Sequence, residues 1–264
     1  MKQFKGRCSS LGTLIQITSL TDTQLENIAK LEIREKLEGK AGLTEKMKRD
    51  LADLRYKKAN PELIDGAKTI LREHYSYKIG LDRGKIFNES IQKGIMMEDE
   101  SIELTDRVIF GEVGLVKNTE FKSNKFIEGT CDIQYEEWVI DTKTALDSKT
   151  FHEKVLTPPT IKQIWQLKGY GILYNKSKAL LSHTLVNTPT WSHLKASFSG
   201  KPFEQIEYEC TYEHIPEIER VIGYEIPLES TDEIAIEKGI TMCRDYLVWY
   251  DSLIKEKIGN VNLT

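Results

Sequence analysis

The chain has 264 residues, 39% of them hydrophobic and 30% charged, with a formal net charge of −4 at pH 7. That is apolar material for one large domain or two small ones with a true core, and it contains no run long enough to span a bilayer. Four scattered cysteines without a CxxC pair argue against disulfides and for a reducing, cytoplasmic setting; the negative balance counts against a general nucleic-acid binder, but a basic channel can coexist with an acidic surface.

The first residues, MKQFKGRCSSLGTLIQ, lack the apolar core of a signal peptide. Arg7-Cys8-Ser9-Ser10-Leu11-Gly12 precedes an apolar-periodic run, so the serines read as helix N-caps or, together with Arg7, as a phosphate-binding patch at a helix start. From Asp22 to Tyr77 the pattern predicts three helices. Thr21 or Asp22 caps the first, Thr44 starts the second, and Pro61 sits in the first turn of the third. The second carries Lys40, Lys46, Lys48, Arg49, Arg55, Lys57 and Lys58 against Glu45, Asp50 and Asp53, which reads as a solvated face; any DNA it met would be held by backbone charge. Lys85–Thr105 predicts a helix that lays Ile86, Ile91, Ile95, Ile102 and Leu104 on a sheet, with Gly94 permitting close packing. Glu98, one turn later, stands among Asp99, Glu100 and Glu103, as part of an exposed acidic patch or as a ligand.

Gly111–Thr144 reads as a β-meander with strands at Gly114–Val116, Thr119–Phe121, Ile127–Gln134 and Trp138–Thr142, and Glu136-Glu137 as a hairpin turn. Asp132 heads one apolar segment and Asp141-Thr142-Lys143 ends the next, which would bring two carboxylates and a lysine to one sheet edge. Acids brought that close repel unless a cation joins them. Residues 160–175 predict an amphipathic helix on which Gln166 and Tyr170, one turn apart, can face one groove, with Gln163 as the competing amide. Residues 178–187 read as a strand, 203–228 as strands or irregular structure, and 231–258 as a helix whose Ile234, Ile240, Tyr246, Leu247 and Leu253 can cover the sheet. Trp138, Trp165, Trp191 and Trp249 read as core or interface anchors. The five histidines, His74, His152, His183, His193 and His214, lack metal-binding spacing, and no phosphate-binding glycine motif is present.

Gly129-Thr130-Cys131-Asp132 followed by Asp141-x-Lys143 resembles the signature of the PD-(D/E)xK nuclease superfamily, with Cys131 where a proline is usual. Gly94-x-x-x-Glu98 with Ser101-Ile102, and Gln166-x-x-x-Tyr170, resemble companion motifs of its lambda-exonuclease and RecB-like branch; Arg7 followed by Ser9 and Ser10 resembles the 5′-phosphate contacts of the phage exonucleases. The resemblance implies an α/β, restriction-endonuclease-like core, a central mixed β-sheet flanked by helices, in a single domain over 1–264. Within it lie an N-terminal helical subregion (22–80), a catalytic core (85–187) and a C-terminal helix (231–258). It implies that Glu98, Asp132, Asp141 and the carbonyl of Thr142 ligate Mg²⁺ or Mn²⁺, and that Lys143 orients or helps deprotonate the attacking water. Gln166 and Tyr170 would position the scissile strand, Arg7, Ser9 and Ser10 would bind DNA, and Thr130 would lie near the phosphate path. The cysteines after the core are too far apart for the iron–sulfur cluster of some relatives. The implied activity is double-strand DNA exonuclease of phage recombination type, acting beside a single-strand annealing protein, with oligomeric state open. An endonuclease of the same fold and a catalytically silent DNA-binding recombination protein are the alternatives.

Overall fold

The predicted strands around Asp132 and Asp141 pair as β4 (Ile133–Tyr135) and β5 (Trp138–Thr144), antiparallel, joined by a tight turn in which Glu136 is left-handed at φ 45°. The computed structural model describes residues 3–18, 20–37, 42–78, 88–189 and 198–259; Lys40, Lys85, Ile86, Trp191 and His193, named above, lie outside these. The chain read from sequence as one domain divides into two compact units, Met1–Gly12 with Tyr77–Glu237, and Thr13–Ser76 with Lys238–Thr264.

The first unit holds two mixed sheets where one was expected. In the larger, of order β4-β5-β6-β7, β6 (Lys178–Thr184) runs parallel to β5 and β7 (Val221–Ile226) antiparallel to β6. A parallel pair needs a long crossover, and α7 (Ser148–Leu156) with α8 (Ile161–Tyr174) supplies it. In the smaller sheet β1 (Gly6–Arg7) lies parallel to β3 (Ile127–Gly129), and β2 (Lys122–Ser123) antiparallel to it. The predicted strand Ile127–Gln134 is thus cut at 130–132, and Gly114–Val116 and Thr119–Phe121 are not strands. Asp106 accounts for the first of these: its carboxylate accepts hydrogen bonds from the amides of Val113, Gly114 and Leu115, which folds that stretch into a loop.

Strand alternation sets the two faces of β5. Ile140 packs with Ile102, Leu115, Ile133 and Leu180, and Thr144 bonds to Ser101, on the face covered by α6 (Glu98–Thr105). Asp141 points the other way, to α8. The predicted helix over 85–105 is broken at Met97 (φ −107°, ψ 17°), so α5 (Glu89–Met96) ends and α6 starts at Glu98. Residues 203–228, expected as strands or irregular structure, include a helix, α9 (Phe203–Cys210), before β7.

In the second unit α2 (Asp22–Glu35) opens with a capping box of Thr21 and Gln24, and α3 (Glu45–Ala59) with Thr44. They meet through Ile28, Leu31 and Leu51. Arg55 bridges Glu32 and Glu35, so part of the basic run on α3 is neutralised within the unit. Pro61 does not open the third helix: Leu63 pairs with Ile17 in a β-bridge, and α4 (Asp65–Lys78) begins only after it. The final helix, α10 (Asp232–Gly259), was expected to cover the sheet. From Lys238 onward it belongs to the second unit, where Gly239 leaves room for Ile15 and Cys243 donates to the Leu14 carbonyl; Ile234 is exposed.

Candidate active site

Pairing of Ile133 with Ile140 places Asp132, one residue earlier, across from Asp141, one residue later. The Thr142 amide donates to Asp132 Oδ2 at 2.8 Å and the Thr142 hydroxyl to the same oxygen at 3.3 Å. Asp141, 1% exposed, accepts from Gln166 Nε2 on Oδ1 at 2.8 Å. Lys143 Nζ lies 2.6 Å from its other oxygen, Oδ2, as an ion pair, and among the described residues that buried atom has no further partner. Burial, and then the neighbouring Asp141, push the Asp132 carboxyl up to about 7, against the pull of Lys143 and the Thr142 amide; Glu98 adds to the rise. Burial also raises Asp141, with Lys143 opposing. Burial alone would lower Lys143, yet Asp141, Asp132 and Glu98 together hold its ammonium above the ordinary lysine value. In this arrangement Lys143 is thus a cation set among three acids.

Glu98 enters from the first turn of α6. A ladder of buried hydroxyls fixes that helix to the sheet: Ser101 meets Thr144 at 2.7 Å and accepts from Thr184, and Thr105 meets Ser182 at 2.8 Å. Glu98 Oε2 is 2.7 Å from Lys117 Nζ. A pocket of about 370 Å³ is lined by Ser90, Gly94, Glu98, Asp132, Thr142 and Lys143. A Cβ on Gly94 would meet nothing within 4 Å, so this glycine faces open space and does not serve helix packing as expected.

On α8, Gln163 completes the N-terminal capping box with Thr160, which removes it as the competing amide and leaves Gln166 at Asp141. Tyr170 is only 5% exposed, and its hydroxyl meets Gln166 Nε2 at 3.4 Å. It does not share an open groove with Gln166; it backs it. Gly129 makes this possible, because a Cβ there would lie 3.0 Å from the Tyr170 ring and 3.3 Å from Cys8. The turn Cys8–Ser10 and α1 (Leu11–Leu14) seat on α8 by the same device, a Cβ on Gly12 falling 2.4 Å from Lys162 Cα and one on Gly169 falling 2.5 Å from Leu11. Arg7 and Ser9 are exposed there, and Ser10 is half-buried. The N-cap reading of the serines fails, since among the described residues neither hydroxyl makes a hydrogen bond. Thr130 is half-buried in the link between the sheets, and Cys131, in the proline's place, is fully buried with its sulfur against Asn118.

Glu98, Asp132 and Asp141 act on one another electrostatically, but among the described residues no three Asp, Glu, His or Cys side chains form a group able to hold a metal ion. Crowded carboxylates need positive charge beside them, and here Lys143 serves the buried Asp141 while Lys117 serves the half-buried Glu98. The donor chemistry fits a hard divalent cation: three carboxylates face two ammoniums, every donor is oxygen, and the buried Asp141 Oδ2 is met by the Lys143 ammonium alone. Lys117 escaped sequence reading because its partner lies 19 residues upstream, with no periodic spacing to join them; the hydroxyl ladder left no sequence signal beyond Ser101 in its motif.

No family model matches the chain, and no curated protein matches its sequence. Solved structures do match it. A phage-related exonuclease from Haemophilus somnus 129PT has a TM-score of 0.66 and 24% identity over 97% of both chains. An alkaline exonuclease from Laribacter hongkongensis has a TM-score of 0.52 and 11% identity, over 97% of this chain and 94% of that one. The same enzyme in complex with dAMP has a TM-score of 0.51 and 13% identity, over 75% and 88%. In architecture this chain is an α/β protein with the restriction-endonuclease-like fold of the phage-related and alkaline exonucleases.

Proposed function

We propose that the chain is a divalent-metal-dependent deoxyribonuclease, a double-strand DNA exonuclease of phage recombination type. The observation that carries this is the strand end Asp141-Thr142-Lys143 set against Asp132, with more carboxylate than ammonium. The names of the structural neighbours support it: they are exonucleases, and one binds a nucleotide. Glu98, Asp132, Asp141 and the Thr142 carbonyl would hold Mg²⁺ or Mn²⁺, which when bound lowers the pKa of a ligated water and offsets charge on the phosphoryl oxygens.

The remaining work falls to the chain itself. Lys143, held as an ammonium, donates hydrogen bonds to the attacking water or a phosphate oxygen and offsets charge in the transition state. Gln166 fixes the rotamer of Asp141, and Tyr170 fixes Gln166, so the phenol is a positioning residue. Arg7 has no ion pair among the described residues, and the exposed Arg7-Ser9 surface with Ser10 and Thr130 would take the 5′-phosphate and adjoining backbone. A single-strand annealing protein remains the proposed partner, and self-association a further one. Among the described residues no helix is long and apolar enough to cross a membrane.

Digestion of blunt linear and covalently closed circular DNA, in Mg²⁺ and in chelator, tests the reading. Linear DNA should be degraded only with the cation and circles spared, and Lys143→Ala should lose roughly 10²–10³-fold in kcat. Cutting of circles would make the protein an endonuclease. Inertness toward both substrates in Mg²⁺ would end the nuclease assignment.

A further inference from the structure

Lys117, paired with the pocket residue Glu98, is a cation that the mechanism above leaves idle. Its ammonium sits 2.7 Å from Glu98 Oε2 with 45% of the side chain exposed, and an exposed ion pair of that kind stabilises a fold very little. The loop that carries it is nevertheless built with care. Asp106, 8% exposed, accepts from three successive amides, those of Val113, Gly114 and Leu115. Gly111, Glu112 and Gly114 take positive φ to make the turn, Glu112 at 65° without a glycine's freedom.

On the other side of Lys117 the Asn118 amide donates to the Asp132 carbonyl at 2.7 Å. The Asn118 side chain donates to the Cys131 carbonyl and the Tyr174 hydroxyl, and accepts from Gln134. The residue after Lys117 is thereby tied to the main chain of the Asp132 segment, so the lysine's backbone is held beside Asp132 however its own side chain turns.

The charges decide what such a lysine is for. Glu98, Asp132 and Asp141, when ionised, set three negative charges against two positive ones on Lys117 and Lys143. A divalent cation would turn that balance from −1 to +1, and one phosphodiester would bring it to zero. The ammonium released from Glu98 is then the mobile positive charge beside an incoming anion.

The geometry points to Lys117 as a phosphate-binding residue that Glu98 holds in reserve: it covers the carboxylate until a divalent cation takes Glu98, and then pairs with the backbone phosphate of the DNA at the site. This rests on the nuclease reading and names a contact within it. It also makes Lys117 a competitor of the cation for Glu98, so its removal must move two affinities in opposite directions, which loss of a merely structural ion pair does not do.

Two binding measurements on the intact protein test this, neither depending on turnover. Mn²⁺ binding without DNA, followed by calorimetry, should tighten several-fold in Lys117→Ala. Binding of a blunt duplex in Ca²⁺, followed by anisotropy across a salt series, should weaken, with the slope of log K against log salt shallower by about one; Lys117→Arg should keep the wild-type slope. Unchanged or weaker Mn²⁺ binding in Lys117→Ala, or an unchanged salt slope, would overturn the proposal while wild-type cleavage of DNA left the nuclease reading standing. A wild-type protein that neither binds nor cuts DNA would remove both.

Discussion

Lys168 and Asp232 meet at 2.7 Å with side chains 10% and 5% exposed, and Lys143 and Asp141 meet at 2.6 Å with side chains 37% and 1% exposed. The resemblance ends at the oxygens. Asp232 Oδ1 takes the ammonium and Oδ2 takes the Glu229 amide, while Lys168 also lies over the Trp165 ring, so every strong group there has a partner inside the protein. Asp141 has Lys143 alone on its Oδ2, a second acid across the strand and a third on α6. One pair is closed and neutral and holds the start of α10; the other carries surplus negative charge toward a pocket. A buried ion pair is thus structural or chemical according to whether its residual valences are met, not according to its distance.

The sharpest way to break this contrast is to remove one acid from each pair. Asp232→Ala should destabilise the protein by about 3–5 kcal/mol, because it strands a buried ammonium, and should leave kcat intact in whatever fraction remains folded. Asp141→Asn should do the reverse, lowering kcat by about 10²–10³-fold or more while Tm in chelator holds or rises as mutual repulsion is relieved. Thermal melts and single-turnover digestion of linear DNA read both. A melt for Asp141→Asn as depressed as that for Asp232→Ala would make the two pairs equivalent and dissolve the distinction.

The acid edge was legible in the sequence because strand pairing is local. Val139-Ile140 running into Asp141, a short turn at Glu136-Glu137 and Asp132 upstream leave one antiparallel register that buries the apolar face, and that register aligns the acids. The helix bearing Gln166 and Tyr170 was equally plain, with Thr160 at its cap. What stayed hidden depends on side chains acting over distance. Nothing in Val113-Gly114-Leu115 announces that Asp106 will gather its amides into a loop, so the segment read as a strand. Pro61 looked like a helix start because the bridge from Leu63 to Ile17 spans 46 residues. Gly94 suggested close packing, yet it borders open space, and a glycine's spelling is the same in both cases. Apolar positions on α10 fit a helix period, but periodicity cannot say which partner a face meets, and from Lys238 that partner lies in the second unit.

A smaller effect follows from acidity. Asp132 is pushed from the ordinary aspartate range up to about 7 by burial, Asp141 and Glu98, so the folded protein binds that proton more tightly than the unfolded chain does. Its destabilising contribution is absent below about pH 4, grows as pH rises, and is complete above about 7. Melts in chelator should therefore lose Tm between about pH 4 and 7, Asp132→Asn should flatten that part of the curve, and millimolar Mg²⁺ should oppose the loss by binding the ionised form. Because Asp132 and Asp141 are coupled, the midpoint belongs to the pair. A pH profile in which Asp132→Asn parallels the wild type would show that the surplus charge assigned to this edge is compensated elsewhere.

The finest test separates two glutamines one turn apart on the same helix. Gln163 returns to the Thr160 amide and closes the cap, whereas Gln166 reaches Asp141 at 2.8 Å. Gln163→Ala should cost about 1 kcal/mol of stability, the scale of a helix cap, and leave cleavage untouched. Gln166→Ala should barely move Tm but reduce kcat roughly 10-fold, the lower end of what is lost when a group orienting a ligand is removed. Since among the described residues the Tyr170 hydroxyl meets Gln166 alone, Tyr170→Phe in the Gln166→Ala background should add nothing further to the loss in kcat. An additional loss in the double variant would place the phenol in contact with substrate and take it out of the supporting role that its burial assigns.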